Sequence, residues 1–183
     1  DDYKKSRISK EELLIRLAQI EGVYTPSLYQ VDYNDEGKII NFKPKVPGIK
    51  SIINKRFLKD LDNAPYPLDW LVPYIEIIHD RITLEIMRGC PNTCRFCQAR
   101  AQYFPFRQKQ AKNIMDTATC IYQKTGYEDL SLAGLSVSDY KGLEGLMESL
   151  VGFFKPKGVS VSLPSIKPKV MLGNLSALIA SIK

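Results

Sequence analysis

Three cysteines stand within eight residues, in the stretch Arg88-Gly89-Cys90-Pro91-Asn92-Thr93-Cys94-Arg95-Phe96-Cys97-Gln98-Ala99. The spacing is C-x3-C-x2-C, with the aromatic Phe96 directly before the last cysteine. Three thiolates on one short loop can converge on a single metal centre. They leave one coordination position without a protein ligand, and an open position separates a reactive metal site from a purely structural one. What the chain is built for therefore turns on whether it supplies a fourth ligand.

The chain has four cysteines and one histidine, so the spare candidates are Cys120 and His79. Arg81 to Met87 reads as a strand with His79 just before it. At about 3.3 Å per residue, roughly 20 Å or more separates His79 from the Cys90 end. Cys120 lies inside a predicted helix beginning near Gln108, roughly 18 Å along it at about 1.5 Å per residue, on the path leading away from the cysteine loop. Cys120 is expected to be a buried small apolar residue, and His79 a loop or strand-start residue. Disulfides fit poorly. Cysteines 90, 94 and 97 are too close for paired bridges, four cysteines in 183 residues are no dense framework, and nothing resembles a signal peptide. A reducing, cytoplasmic setting is expected.

Hydrophobic residues make up 44% of the chain, enough for a real core, and no apolar run approaches the length of a bilayer span. The net charge of +6 is unevenly spread. Residues 38–59 hold Lys38, Lys43, Lys45, Lys50, Lys55, Arg56 and Lys59 with no acid, a pattern that fits a solvated face or a footprint for RNA or another polyanion. Residues 88–112 hold Arg88, Arg95, Arg100, Arg107, Lys109 and Lys112, again with no acid. Positive charge there would favour thiolates and attract anionic ligand groups.

Two regions differ in pattern. Residues 1–75 read as a small connector segment. Ser9-Lys10-Glu11-Glu12 opens a helix of about Lys10 to Ile20, closed by Gly22. Strand formers run from Val23 to Tyr33, Asn34-Asp35-Glu36-Gly37 is a turn signal, and Lys38 to Phe42 can return as a hairpin partner. Prolines 44, 47, 65, 67 and 73 punctuate the rest of this segment. Residues 76–183 alternate strand and helix: strand Arg81–Met87, helix about 108–124 stopped by Gly126, and strand Asp129–Ala133. Next come a helix of about Asp139–Phe154 capped by Ser138, strand Val159–Leu163, and a last helix of about 169–182. Three β-loop-α units imply an α/β fold with parallel strands, of the partial (βα) barrel kind. In such barrels chemistry sits at the C-terminal ends of strands, where the cysteine loop falls. Three units are too few to close a barrel. With Asp1 at one end and a helix running to Lys183 at the other, the chain is expected to be part of a longer one, and incomplete as an enzyme.

The cysteine motif after the first strand resembles the radical SAM superfamily. His79-Asp80-Arg81, Glu85-Ile86-Met87-Arg88-Gly89-Cys90 and Cys94-Arg95-Phe96-Cys97-Gln98-Ala99 resemble the cobalamin-domain-associated radical SAM proteins of largely unassigned function. Thr125-Gly126-Tyr127, Ser131-Leu132 and Leu135-Ser136-Val137-Ser138-Asp139-Tyr140 are similar to that group's second-strand region. Val159-Ser160-Val161-Ser162-Leu163-Pro164-Ser165 is similar to its third. The resemblance implies that Cys90, Cys94 and Cys97 bind three irons of a 4Fe–4S cluster. It implies that the fourth iron is chelated by S-adenosylmethionine, and that reductive cleavage yields a 5′-deoxyadenosyl radical that abstracts a substrate hydrogen. It implies that Phe96 lies near the adenine, and that an electron donor of the flavodoxin or ferredoxin type serves the cluster. Soft thiolates suit such a cluster.

The chain departs from that pattern in three places. Where many radical SAM enzymes carry a Gly-Gly-Glu type motif for the SAM amino group, this chain has Ala133-Gly134-Leu135-Ser136, so contacts are expected from backbone at Gly134 or from Ser136. Ser162 and Ser165 fall in the matching part of the third unit. After Ser165 an arginine is replaced by Ile166-Lys167, and Lys167 would meet a carboxylate as a point charge. The cobalamin signature D-x-H-x-x-G is missing, so cobalamin could enter only through a domain outside this chain. The substrate is left open, RNA among the classes. The rival expectation is a structural zinc module of three cysteines plus one, binding RNA or protein, and the missing fourth ligand weighs against it.

Overall fold

Ser9 accepts a hydrogen bond from the Glu12 backbone N–H at 3.1 Å and so caps helix α1 (Lys10–Ala18). The computed structural model describes residues 3–5, 7–167 and 177. The chain forms two compact units, Asp1–Leu58 and Lys59–Lys183.

In the first unit the turn signal at residues 34–37 joins two antiparallel strands, β1 (Tyr29–Tyr33) and β2 (Ile39–Pro44). The Asn34 side chain accepts from the Glu36 and Lys38 backbone, and Gly37 takes the left-handed conformation the turn needs. β1 is shorter than the run of strand formers from Val23 because Pro26–Leu28 forms a 3-10 turn. A small core of Ala18, Leu28, Tyr29 and Ile49 holds the unit together. Tyr29 stacks on Phe42 and donates its hydroxyl to the Lys50 carbonyl at 2.8 Å.

The second unit is mixed α/β, built on a three-stranded parallel sheet. Its strands are β3 (Ile82–Glu85), β6 (Asp129–Ala133) and β7 (Ser160–Ser162), in the order β3-β6-β7. Between β3 and β6 come the short strand β4 (Met87–Arg88), helix α2 (Ala99–Tyr103), strand β5 (Arg107–Gln108) and helix α3 (Ala111–Thr125). Helix α4 (Leu143–Phe154) lies between β6 and β7. The strand read from sequence as Arg81–Met87 is divided at Ile86. Its backbone N–H donates to Ala133 at 3.0 Å, and its carbonyl accepts from Lys109 at 2.9 Å. The chain thus passes from parallel pairing with β6 to antiparallel pairing of β4 with β5.

The apolar stripes of the helices cover the sheet. Ile114, Ala118 and Ile121 of α3, and Leu143, Leu146, Met147, Leu150 and Phe154 of α4, are buried with Ile82, Leu84, Leu130, Leu132 and Val161 of the strands. A fully buried side chain of this size contributes about 1.5–3 kcal/mol over its exposed state, so this layer is what holds the sheet. Gly126 ends α3 in the left-handed conformation. Residues 59–75, read from sequence as the end of the connector, group with this unit. Leu61 is buried, the Tyr66 hydroxyl donates to the Thr83 carbonyl at 2.9 Å, and Asp62 accepts from the Gln110 backbone N–H at 2.9 Å.

Two details depart from the sequence reading. Helix α4 starts at Leu143 after a left-handed Gly142, and Ser138 does not cap it, because residues 137–139 form a 3-10 turn instead. Cys120, expected to be buried, is half-buried on α3. The helix expected at about 169–182 lies, apart from residue 177, outside the described residues.

Candidate metal-binding loop

The cysteine loop begins where β4 ends, and Gly89 makes that exit. It sits at φ +85°, and a Cβ there would stand 2.7 Å from the carbonyl oxygens of both Tyr103 and Pro105. No side chain fits, so the chain can fold back over the segment 103–106 only with glycine at this point. The Phe104–Pro105 peptide in that segment is cis. Arg107 donates to the Pro105 and Tyr103 carbonyls at 2.8 and 3.2 Å and holds the returning segment in place.

All four cysteines are free thiols; Cys90 is half-buried, while Cys94 and Cys97 are exposed. The Cys97 backbone N–H bonds the Cys94 carbonyl at 3.2 Å, closing a turn between the last two. Among the described residues no three His, Cys, Asp or Glu side chains are already gathered at metal-binding separations. An ion held by all three would need the sulfurs closer together than they stand, and two of them, on Cys94 and Cys97, are exposed. The donor set fits an iron–sulfur cluster: three thiols on one loop, with His79 before β3 at the opposite end of that strand and Cys120 well along α3.

Asn92, between the first two cysteines, ties the loop to the rest of the sheet edge. Its amide N–H groups donate to the Cys90 Sγ at 3.3 Å and to the Asp139 carboxylate at 2.5 Å. Its carbonyl accepts from the Lys167 ammonium at 2.8 Å. Lys167 also bonds both Asp139 oxygens, at 2.8 and 2.7 Å, and its backbone N–H donates to the Ser138 hydroxyl at 3.3 Å. Ser136 donates its hydroxyl to Asp139 at 2.6 Å. Residues from the cysteine loop, the β6 loop and the β7 loop thus meet in one polar cluster. Burial opposes the charge on Asp139, but hydrogen bonds from Lys167, Ser136 and Asn92 outweigh it and hold the carboxyl below its ordinary range.

Of the residues read from sequence as cofactor contacts, all but Ser162 belong to the loops at this edge. Gly134 follows β6, where a Cβ would strike the Met87 side chain at 2.5 Å. It helps line a cavity of about 360 Å³ with Glu85, Arg88, Gly89, Tyr103 and Leu135. Ser136 is buried, and its hydroxyl and the Lys167 ammonium are both engaged with Asp139. Phe96 is exposed, as are Tyr103, Phe104 and Leu135 nearby in the chain or the cavity. Ser165 is exposed at φ 60°, a left-handed bend two residues before Lys167. Ser162 lines a different hollow, of about 800 Å³, along with Asp80, Arg81, Glu128 and Asp129. Those four residues mark the N-terminal ends of β3 and β6, so this larger hollow lies away from the thiols.

The basic stretch around the loop is partly neutralised. Arg88 makes a two-pronged bond to Glu85 at 2.8 and 2.6 Å, and Lys112 pairs with Asp116 at 2.5 Å. Lys109 lies over the Tyr66 ring. Arg95, beside Cys94, is exposed. Sequence reasoning missed Asn92 and Asp139. The only signal for them was an amide inside the motif and a carboxylate within the second-strand segment.

No family model matches the chain. The chain is similar to an uncharacterized protein of Methanocaldococcus jannaschii, with 28% identity over 148 residues, covering 78% of this chain and 32% of that protein. The chain thus matches about a third of the length of that relative. Among the described residues no helix is long and apolar enough to cross a membrane.

Proposed function

We propose that this chain is the cluster- and S-adenosylmethionine-binding portion of a radical SAM enzyme, with Cys90, Cys94 and Cys97 ligating three irons of a 4Fe–4S cluster. One observation carries the reading: three free thiols share a loop at the C-terminal edge of a parallel α/β sheet, while the fourth cysteine, Cys120, lies within α3 and the single histidine, His79, precedes β3. On this reading the parallel strands are the first of a (βα) barrel, whose remaining strands belong to a longer protein.

Such a cluster would supply an electron to S-adenosylmethionine, the chemistry with which this superfamily starts hydrogen abstraction. The chain's own residues bind and orient. The three cysteines would hold the irons. Gly134 borders the cavity that Gly89 also lines, and its missing Cβ makes room for the Met87 side chain. The exposed apolar side chains Phe96, Tyr103 and Leu135 flank the site and would keep water from it once covered. Ser136 and Lys167 act through Asp139, Ser165 is exposed two residues before Lys167, and Ser162 lines the separate hollow. A cytoplasmic location and a flavodoxin- or ferredoxin-type electron donor follow from the same reading. The substrate class is open, with RNA one candidate, and cobalamin would require a domain outside this chain.

The test is anaerobic reconstitution with ferrous iron and sulfide, in parallel with zinc. The reading expects iron and sulfide bound in cluster stoichiometry and broad visible absorption that depends on the three loop cysteines. Tight zinc binding with no iron–sulfur chromophore would instead support a structural zinc module.

A further inference from the structure

Asn92 presents three polar groups to three different partners, and the partners decide which way its amide faces. An amide can be turned end for end, exchanging its oxygen and nitrogen. Here Lys167 can only donate and ionised Asp139 can only accept, so the oxygen must face Lys167 and the nitrogen must face Asp139. The second N–H is then aimed at the Cys90 Sγ. Lys167 follows the left-handed bend at Ser165 and is held in place by Ser138 and Asp139. Cys90 is correspondingly the half-buried thiol of the loop, while Cys94 and Cys97 are exposed.

We propose that Asn92, Asp139 and Lys167 form a positioning clamp that presets Cys90 as the first anchor of the metal, with Cys94 and Cys97 left free to close onto it. The clamp joins the loops of all three parallel strands, so the sheet edge itself sets where the first sulfur stands. Asp139 and Lys167 act through Asn92 and are positioning residues. The inference rests on the proposed role of Cys90 as a cluster ligand, but its first test needs no cluster.

That test is the rate of alkylation of each cysteine by iodoacetamide, read by mass spectrometry on the reduced, metal-free chain. Cys90 is expected to react slowest of the three loop thiols. Asp139→Ala and Lys167→Ala should each speed Cys90 about tenfold relative to Cys97, the equivalent of one charge-assisted hydrogen bond. The two substitutions change the local charge in opposite directions, so a change of the same sign reports position and not field. Cys120 should be unaffected, and Lys167→Arg should restore the slow rate. Equal reactivity of Cys90 and Cys97 in the unmodified chain would overturn the clamp, as would opposite effects of the two alanine variants. Acceleration of all four cysteines in the variants would mark general unfolding, and the unmodified chain with Lys167→Arg would then decide the matter.

A second readout uses the reconstituted chain. Asp139→Ala and Lys167→Ala should alter the electron paramagnetic resonance spectrum of the reduced cluster, while Cys120→Ala leaves it unchanged. If the chain takes up no iron but the alkylation pattern holds, the cluster assignment has failed and the clamp stands. If iron is taken up and Cys90 reacts like Cys97, the clamp has failed and the cluster assignment stands.

Discussion

Gly89 passes so close to Pro105 that a Cβ on Gly89 would stand 2.7 Å from the Pro105 carbonyl oxygen, with the Tyr103 carbonyl at the same distance. Both obstacles are backbone and cannot rotate away, and the glycine is at φ +85°, where other residues are strained. Gly89→Ala should therefore destabilise the fold by on the order of 1–3 kcal/mol from strain. It should also displace the cysteine loop from segment 103–106. Urea unfolding checks the first effect. An unchanged midpoint would show that the loop leaves the sheet by another route.

Asp62 lies far in sequence from α3 yet accepts from the Gln110 backbone N–H with both carboxylate oxygens, at 2.9 and 3.2 Å. Gln110 itself provides no side-chain cap. Asp62→Ala should cost about 1 kcal/mol, the usual value of a lost helix cap. Asp62→Asn should cost less, because it keeps an acceptor. Denaturation midpoints of the two variants give the comparison, and equal stability of Asp62→Ala and the unmodified chain would remove the capping role.

Glu85, at the end of β3, is held below its ordinary carboxyl range by its hydrogen bonds from Arg88, against a smaller opposing effect of burial. A carboxyl lowered in the folded state stabilises the fold above its unfolded value of about 4.3. That contribution is lost as pH falls through the folded value. The unmodified chain should therefore exceed Glu85→Gln in melting temperature near neutral pH, with the gap closing below about pH 4. Both side chains are more than a third exposed, so solvent keeps the effect small. Melting curves at pH 7 and pH 3 test it, and a gap that widened in acid would contradict the assignment.

The alternation of strand and helix was legible because each element buries a regular stripe. β6 spans the expected residues 129–133, and the buried positions of α3 and α4 follow the apolar spacing. What escaped were places where a distant partner overrides local pattern. Ser138 reads as a helix cap, but its hydroxyl is taken by Lys167, and Asp139 beside it is taken by Asn92 and Lys167. The helix accordingly starts later, at Leu143. Ile86 continues the apolar run of β3, yet its backbone is divided between Ala133 and Lys109, which ends the parallel strand. The cysteines were plain in the sequence. The clamp behind them was not, because its members come from three loops brought together only by the sheet.

If three loop thiols, and no other protein ligand, hold an iron–sulfur cluster with one open iron, that iron should respond to S-adenosylmethionine. The decisive experiment is the electron paramagnetic resonance spectrum of the reduced, reconstituted chain before and after S-adenosylmethionine is added. It is taken alongside iron content in Cys90→Ala, Cys94→Ala, Cys97→Ala and Cys120→Ala. S-adenosylmethionine is expected to alter the signal, each loop variant to lose the cluster, and Cys120→Ala to keep it. A signal indifferent to S-adenosylmethionine, full iron in Cys94→Ala, or loss of the cluster in Cys120→Ala would overturn the proposal.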